Sequence, residues 1–417
     1  MEGGSQKGYS EPVPVGKDIF PDSDGAVLPL DLHLMRLLIC GGGESAAAAA
    51  AIDSADGWEE VVALADRWKV FPALAARVAS GEIQMPARAA AGLARMTSVQ
   101  FFRTTVCMRA GCDALRALAT AGIPAIAFKG AAVIAHLHRG MRERMVRDVD
   151  VLVHGRDLQR SLEALETAGF HRTIGEGSLE DYTTFVAHSP GAAGNHAISL
   201  SNRQDAAVDL HWKLGRFDPG ELLESASTVP ILGTPTCVAR PAFGLLLTVH
   251  HALRNDLVPG EVARDVLDCA GWFRLLAGMP AELVLARAQG EKLGLADAVD
   301  AMAIVVRKLG GAAPEELGTS LAGRQLADLY FRQSAEGPIN TDLAYLGSPR
   351  AAFQILQGAL TGWRRYQGMM RAFESRQGEA SLSLGERAMR LARSIARLSP
   401  SHWRQLRALT RAKDRLS

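Results

Sequence analysis

From about Leu28 to Ile123, apolar residues recur every three or four positions. The segments DLHLMRLLI, ESAAAAAAID and WEEVVALADRW carry this period, as does a long stretch from about Met96 to Ala121. The spacing predicts packed helices, because residues three and four apart share one helical face. Gly41 to Gly43, Pro72 and Pro86 punctuate the run. The three glycines have helical flanks on both sides, so they predict a helix–helix turn; a dinucleotide-binding loop would need flanking strands. Residues 1–27 are rich in Gly, Ser, Pro and Asp with no period, which reads as a flexible leader.

The texture changes at Ile123. PAIAFKG is a short apolar run closed by Gly130, and AAVIAHLHR returns to helical spacing. VRDVDVLV alternates charged and apolar residues over a strand length. DLQRSLEALETAGF is an amphipathic helix with Gly169 at its C-terminal cap. NHAISLS and AAVDLHW follow as two more strand-like runs. Together they form an α/β module from roughly 123 to 215. After Pro241, FGLLLTVHHAL, EVARDVLDCAGWFRLL and AELVLARAQGEKLG are helical again, and from about 361 the helical pattern turns basic. No repeat of 20 to 50 residues is visible.

These elements predict an α+β fold. A small mixed-sheet core at 123–240 stands between a helical N-terminal region at 28–122 and a larger helical C-terminal region at 241–417. The dominance of Ala, Arg and Leu supports the helical share. A net charge of +1 supplies no global field for nucleic acid or membrane, so any such partner must be met by a local patch. The basic terminal helices, with Trp363, Tyr366 and Trp403, are the candidate patch for an acidic partner, or else a solvated face. Five scattered cysteines without a Cys-x-x-Cys pair read as buried thiols of a reducing compartment. No apolar stretch approaches the ~18 residues of a membrane span, and the N-terminus lacks the pattern of a secretory signal. The expected location is the cytoplasm.

The chemistry concentrates in Phe128-Lys129-Gly130 and in Arg144-Met-Val-Arg147-Asp148-Val-Asp150-Val-Leu-Val153. On a strand, Asp148 and Asp150 share one face, about 7 Å apart, while Val149, Val151 and Val153 face a core. Two such carboxylates can lean over a pair of Mg²⁺ ions roughly 3.5–4 Å apart and leave coordination positions for phosphates. Asp209, between Val208 and Leu210, is the candidate third carboxylate, because a charge in that apolar setting is costly unless compensated. His211 could orient Asp209, touch substrate, or pack beside Trp212; Arg147 is a further candidate at the substrate edge. His250 and His251 are about 100° apart on a helix and do not converge on one zinc ion, so one of them is expected to pack or cap against the core.

The ordered set resembles an uncharacterised branch of bacterial nucleotidyltransferases within the polymerase-β-like superfamily. It runs from Lys-Gly and a helix through Arg-x-x-x-Asp-x-Asp-apolar-Leu-Val, a helix ending in Ala-Gly-Phe, and Val-Asp-Leu-His-Trp. The likeness extends from about Ala125 to Trp272. It implies that Asp148 and Asp150 bind two Mg²⁺ ions and that Asp209 joins the one nearer the attacking hydroxyl. It also implies that Lys129, Gly130 and Arg144 receive the phosphates of a nucleoside triphosphate. The implied reaction is transfer of NMP to an acceptor with loss of pyrophosphate; the acceptor is a small molecule, a peptide, a protein or an RNA end. The same cleft could instead serve a catalytically weak nucleotide-binding or partner-binding protein, or transfer the γ-phosphate. Where active members carry Gly-Ser, this chain carries Gly130-Ala131, so one hydroxyl contact to phosphate is absent.

Overall fold

The computed structural model describes residues 19–21, 27–50, 52, 55–138, 140–172 and 196–336. The basic C-terminal helices read from the sequence, with their three aromatic residues, lie outside the described residues, as do residues 1–18.

The N-terminal region is helical, as its periodicity predicts. Helices α1 (Leu30–Ile39) and α2 (Gly42–Ala50) are joined at Gly41, and α3 (Ala55–Arg67) and α4 (Phe71–Ala79) follow. Helix α5 (Ala87–Thr120) is 34 residues long and buries Gln100, Thr104, Cys107, Gly111, Ala114 and Leu118 along one face. Of residues 1–27, read from the sequence as a flexible leader, 19–21 and 27 are described. Strand β1 (Ile19–Pro21) pairs antiparallel with β2 (Val27–Pro29). Each is only three residues long, too short for alternation to register.

The centre of the molecule is a mixed sheet of seven strands: β3 (Ala125–Phe128), β4 (Asp148–Val153), β5 (His171–Arg172), β6 (His196–Ser201), β7 (Ala207–Lys213), β8 (Ser227–Ile231) and β9 (Thr234–Val238). Their order across the sheet is β5-β6-β7-β4-β3-β9-β8. Strand β4 runs parallel to β7 and antiparallel to β3, so the two strands that the sequence marks as acidic are immediate neighbours. The β8–β9 hairpin, which extends the sheet beyond β3, is not evident from periodicity. Pro230 and Pro235 face each other across it, and proline weakens a strand pattern because it has no N–H to donate.

Alternate residues of the central strands serve opposite purposes. Val149, Val151, Val208 and Leu210 are buried, and α5 lies against this apolar side so closely that a Cβ on Gly111 would fall 2.7 Å from Val149 Cγ1. Helices α6 (Gly130–Leu137) and α7 (Leu158–Thr167) connect the strands, and the short α8 (Pro219–Glu224) follows β7. Past the sheet come α9 (Pro241–Arg254), α10 (Pro259–Ala277), α11 (Pro280–Leu293), α12 (Ala296–Lys308) and α13 (Leu321–Glu336). Small residues let the first of these close on one another. A Cβ on Gly244 of α9 would fall 2.5 Å from the Trp272 ring of α10, and one on Gly271 of α10 would meet Leu137 of α6 at 2.7 Å. Trp272 is fully buried and donates its indole N–H to Thr248 Oγ1 at 3.1 Å. Helix α10 is thereby held beside α6 and the sheet. Among the described residues no helix is long and apolar enough to cross a membrane.

Candidate active site

Strand register builds the site. Asp150 of β4 pairs with Asp209 of β7 on one side and with Phe128 of β3 on the other, and Asp209 pairs in turn with Ser199 of β6. One row across the sheet therefore reads Phe128, Asp150, Asp209, Ser199. Two residues further along, Leu152 pairs with His211, and two residues back, Asp148 pairs with Ala207. A step of two keeps a side chain on the same face, so all these acids and the imidazole share one side of the sheet.

The segment entering β4 is fixed from below by α5. Thr104 Oγ1 accepts the Val146 N–H at 3.2 Å, and the Cys107 thiol donates to the Arg147 carbonyl at 3.1 Å. Lys129, between β3 and α6, has φ 48° and ψ −121°, a positive-φ conformation that costs a non-glycine residue on the order of 1–3 kcal/mol. The turn aims its ammonium at Asp150, with Nζ 2.6 Å from Oδ1. His211 Nε2 lies 2.9 Å from the same oxygen, and the His211 ring stands edge-on to Phe128 with centroids 5.0 Å apart. His211 thus meets Asp150 rather than Asp209. Asp209 Oδ1 accepts a hydrogen bond from Ser199 Oγ at 2.6 Å.

The two carboxylates of β4 are tuned in opposite directions. Burial alone would raise Asp150, but Lys129 and His211 outweigh it and hold the group at about 2. Asp148 begins the strand. Its carboxyl is raised by desolvation and then by the charges of Asp150 and Asp209, which Lys129 and Arg264 only partly offset. One ligand atom each from Asp150, Asp209 and His211 lies within 4.8 Å of the others. Two carboxylate oxygens and an imidazole nitrogen at that separation suit a divalent cation. The excess negative charge felt at Asp148 is what such a cation would neutralise.

The cations predicted to face phosphate take up definite positions. Lys129 is committed to Asp150. Arg144 grips Asp268 of α10, with Nε 3.0 Å from Oδ1 and Nη2 2.7 Å from Oδ2, and donates Nη1 to the Met145 carbonyl. Its guanidinium also borders Gly130, whose added Cβ would lie 3.0 Å from Nη1. Arg147 is exposed beside Asp148. Of the two adjacent histidines, His251 Nδ1 pairs with Asp265 Oδ2 at 2.8 Å, while His250 stands edge-on to Phe217. Burial, Arg254, His251 and Lys129 depress His250 to about 4.

Sequence reasoning passed over Ser199, Asp268 as the partner of Arg144, and Arg264. Ser199 depends on a register between β6 and β7 that no local pattern encodes. Arg264 had a legible signal, because Glu261, Arg264, Asp265 and Asp268 form one polar stripe with helical spacing on an otherwise buried helix.

No curated protein matches the chain. Two solved structures are similar over about half of it. The antibiotic-resistance factor ANT(2'')-Ia shares 14% identity over 45% of this chain and 99% of its own, with a TM-score of 0.29. An antigenic nucleotidyltransferase-like protein from Paracoccidioides brasiliensis shares 17% identity over 46% of this chain and 90% of its own, with a TM-score of 0.27. At those TM-scores neither likeness bears on the chemistry. The sequence carries more weight: the family model described as uncharacterised nucleotidyltransferase matches residues 54–311, more than half of the chain and the whole of the acidic site. The chain belongs to the uncharacterised nucleotidyltransferase family.

Proposed function

We propose that the cleft over Asp148, Asp150 and Asp209 transfers NMP from a nucleoside triphosphate to an acceptor hydroxyl, with pyrophosphate as the second product. The observation that carries this reading is the row of Asp150 and Asp209 on adjacent parallel strands, with His211 fixed against Asp150. Asp148, Asp150 and Asp209 would hold two Mg²⁺ ions. Bound there, the ions would neutralise phosphate charge and acidify the acceptor hydroxyl.

The protein's own groups have distinct tasks. Asp209 takes the acceptor proton as the hydroxyl oxygen attacks the α-phosphorus, and the bond from that phosphorus to the bridging oxygen breaks. Ser199 holds Asp209 by one oxygen and leaves the other for this work. Lys129 and Gly130 stand on the phosphate side, and Arg144 adds its charge to that wall while anchoring α10. Arg147 flanks the entrance, and His211 keeps Asp150 oriented. The α/β core of 123–240 binds the nucleotide, and the helical region after it selects the acceptor. A cytoplasmic setting fits five cysteines that are all free.

The test is pyrophosphate release from ATP, CTP, GTP and UTP with Mg²⁺, alongside a mass search for nucleotide addition to small molecules, peptides, the protein itself and RNA ends. Release that Asp150→Ala abolishes supports the proposal. Nucleoside diphosphate in place of pyrophosphate would mean γ-phosphate transfer, and tight binding without product would mean a nucleotide-binding protein.

A further inference from the structure

We propose that Ser199 of β6 is itself an acceptor: without an external hydroxyl it receives the NMP, so that the protein nucleotidylates its own site. This rests on the nucleotidyltransferase reading above and names a residue on which that reaction can end.

The row of side chains across the sheet has two chemically different ends. Beyond Phe128 of β3 stand Lys129 and Gly130, at the start of α6, the side assigned to phosphate. At the other end stands Ser199, level with Asp209. Asp150, Asp209 and His211 lie between, with one ligand atom of each within 4.8 Å of the others. Neighbouring strands are about 4.8 Å apart, so Ser199 is a single strand step beyond that cluster. A triphosphate laid from the Lys129 end across the cluster brings its α-phosphorus toward the Asp209 end.

Ser199 is already arranged as a nucleophile on its base. Its Oγ donates to Asp209 Oδ1 at 2.6 Å, the reach expected between an activated hydroxyl and its general base. Asp209 is the group that takes the acceptor proton in the reaction above. The Ser199 side chain is half-buried, not sealed, and the pairs Ile198–Leu210 and Leu200–Val208 on either side hold it in place. A hydroxyl fixed there loses no translational freedom on reacting, which favours it over an acceptor that must first bind. In the step, Oγ bonds to the α-phosphorus and the bond from that phosphorus to the bridging oxygen breaks. Pyrophosphate leaves, and the Oγ proton passes to Asp209. The product is a serine phosphodiester of NMP. It removes the donor to Asp209 and fills the place of an incoming acceptor, so the reaction stops after one turnover per chain.

The experiment incubates the full chain with Mg²⁺ and ATP, CTP, GTP or UTP in the absence of any added acceptor. Pyrophosphate, intact mass and peptide fragments are followed together. The expected result is a single equivalent of nucleotide per chain on Ser199, with a burst of pyrophosphate of the same size. The linkage should survive hydroxylamine, which cleaves an acyl phosphate on aspartate, and mild acid, which cleaves a phosphoramidate on histidine. Ser199→Ala at saturating metal should lose the label, and Ser199→Thr, which keeps a hydroxyl, should retain part of it. Pyrophosphate release with Ser199 unmodified overturns the assignment and leaves the nucleotidyl-transfer reading standing. A label on Ser201, two residues along the same strand, or one that persists in Ser199→Ala, overturns it equally. Neither pyrophosphate nor label in this mixture also overturns it; the transfer reading falls as well only if the search with external acceptors yields no product.

Discussion

The two faces of strands β4 and β7 are built from alternate residues of the same two segments, yet they obey different rules. On one face Val149, Val151, Val208 and Leu210 are sealed against α5 and contain nothing to titrate. On the other, Asp148, Asp150 and Asp209 crowd like charges together beside His211, and Lys129 adopts a strained turn to reach Asp150. Burial on the first face stabilises the fold directly. The second face is tolerated only because the first, with the helices beyond the sheet, holds the strands in register. Substitutions should therefore separate, with stability following the apolar face and chemistry the acidic one.

The largest expected effect tests the acidic face at its centre. Asp150→Asn should reduce nucleotidyl transfer by about a thousandfold or more, comparable to removing a principal electrostatic stabiliser of a transition state. Circular dichroism should show the helical signal retained. A variant that turns over within tenfold of the unaltered protein would remove Asp150 from the chemistry and undo the contrast.

His250, on α9, is where that separation should break down, because burial couples its titration to stability. Its folded pKa is depressed to about 4, chiefly by burial. A depressed value means that the stabilisation is present above the ordinary value near 6.5. It is lost as pH falls toward 4, where the unfolded chain takes a proton that the folded one refuses. The interval between the two values corresponds to roughly 3 kcal/mol. Urea midpoints measured from pH 7 to pH 4 should fall steeply for the unaltered protein and less so for His250→Gln. Parallel curves would show that the imidazole does not titrate as its surroundings require.

The contrast between faces also explains what the sequence could reveal. Alternation in VRDVDVLV and AAVDLHW is a local property, so both strands and the shared face of Asp148 and Asp150 were legible, as were α6, α7 and α9 to α11. Pairing is not local. Nothing in VDLHW states that Asp209 lies level with Asp150, or that His211 therefore reaches Asp150. The anchoring of Arg144 on Asp268 spans 124 positions of sequence, and charge complementarity at that distance has no periodic signature. The β8–β9 hairpin was hidden by its prolines, which a sheet accepts at its margin.

The apolar face can be tested by overfilling it. Gly111→Ala places a methyl group 2.7 Å from Val149 Cγ1. Overpacking costs about 1–3 kcal/mol, and the better helix propensity of alanine returns up to about 1 kcal/mol. A net loss of about 1–2 kcal/mol is expected by chemical denaturation, with activity per folded molecule unchanged. Combining it with Val149→Ala should cost less than the sum of the two single changes, since the second removes Cγ1 and Cγ2, two of the three atoms that the first strikes. Additive losses would show that the helix shifts instead, and the strict separation of the faces would then fail, because β4 would move with it.

The smallest expected effect lies at the boundary between the two faces. Ser199 belongs to β6, and its hydroxyl donates a hydrogen bond to Asp209 Oδ1. Removing the hydroxyl with Ser199→Ala deletes no charge and little volume, so stability should change by less than about 1 kcal/mol. The Asp209 carboxylate, however, loses the donor that fixes its rotamer. Groups that orient a metal ligand in this way are typically worth about tenfold or more in metal affinity. Mn²⁺ titration followed by electron paramagnetic resonance would therefore register a weaker site in a protein that melts almost normally. Activity should fall by a similar factor and recover at higher metal concentration. If affinity is unchanged while the melting point drops, the Ser199 contact serves only to join β6 to β7, and the acidic face ends at Asp209.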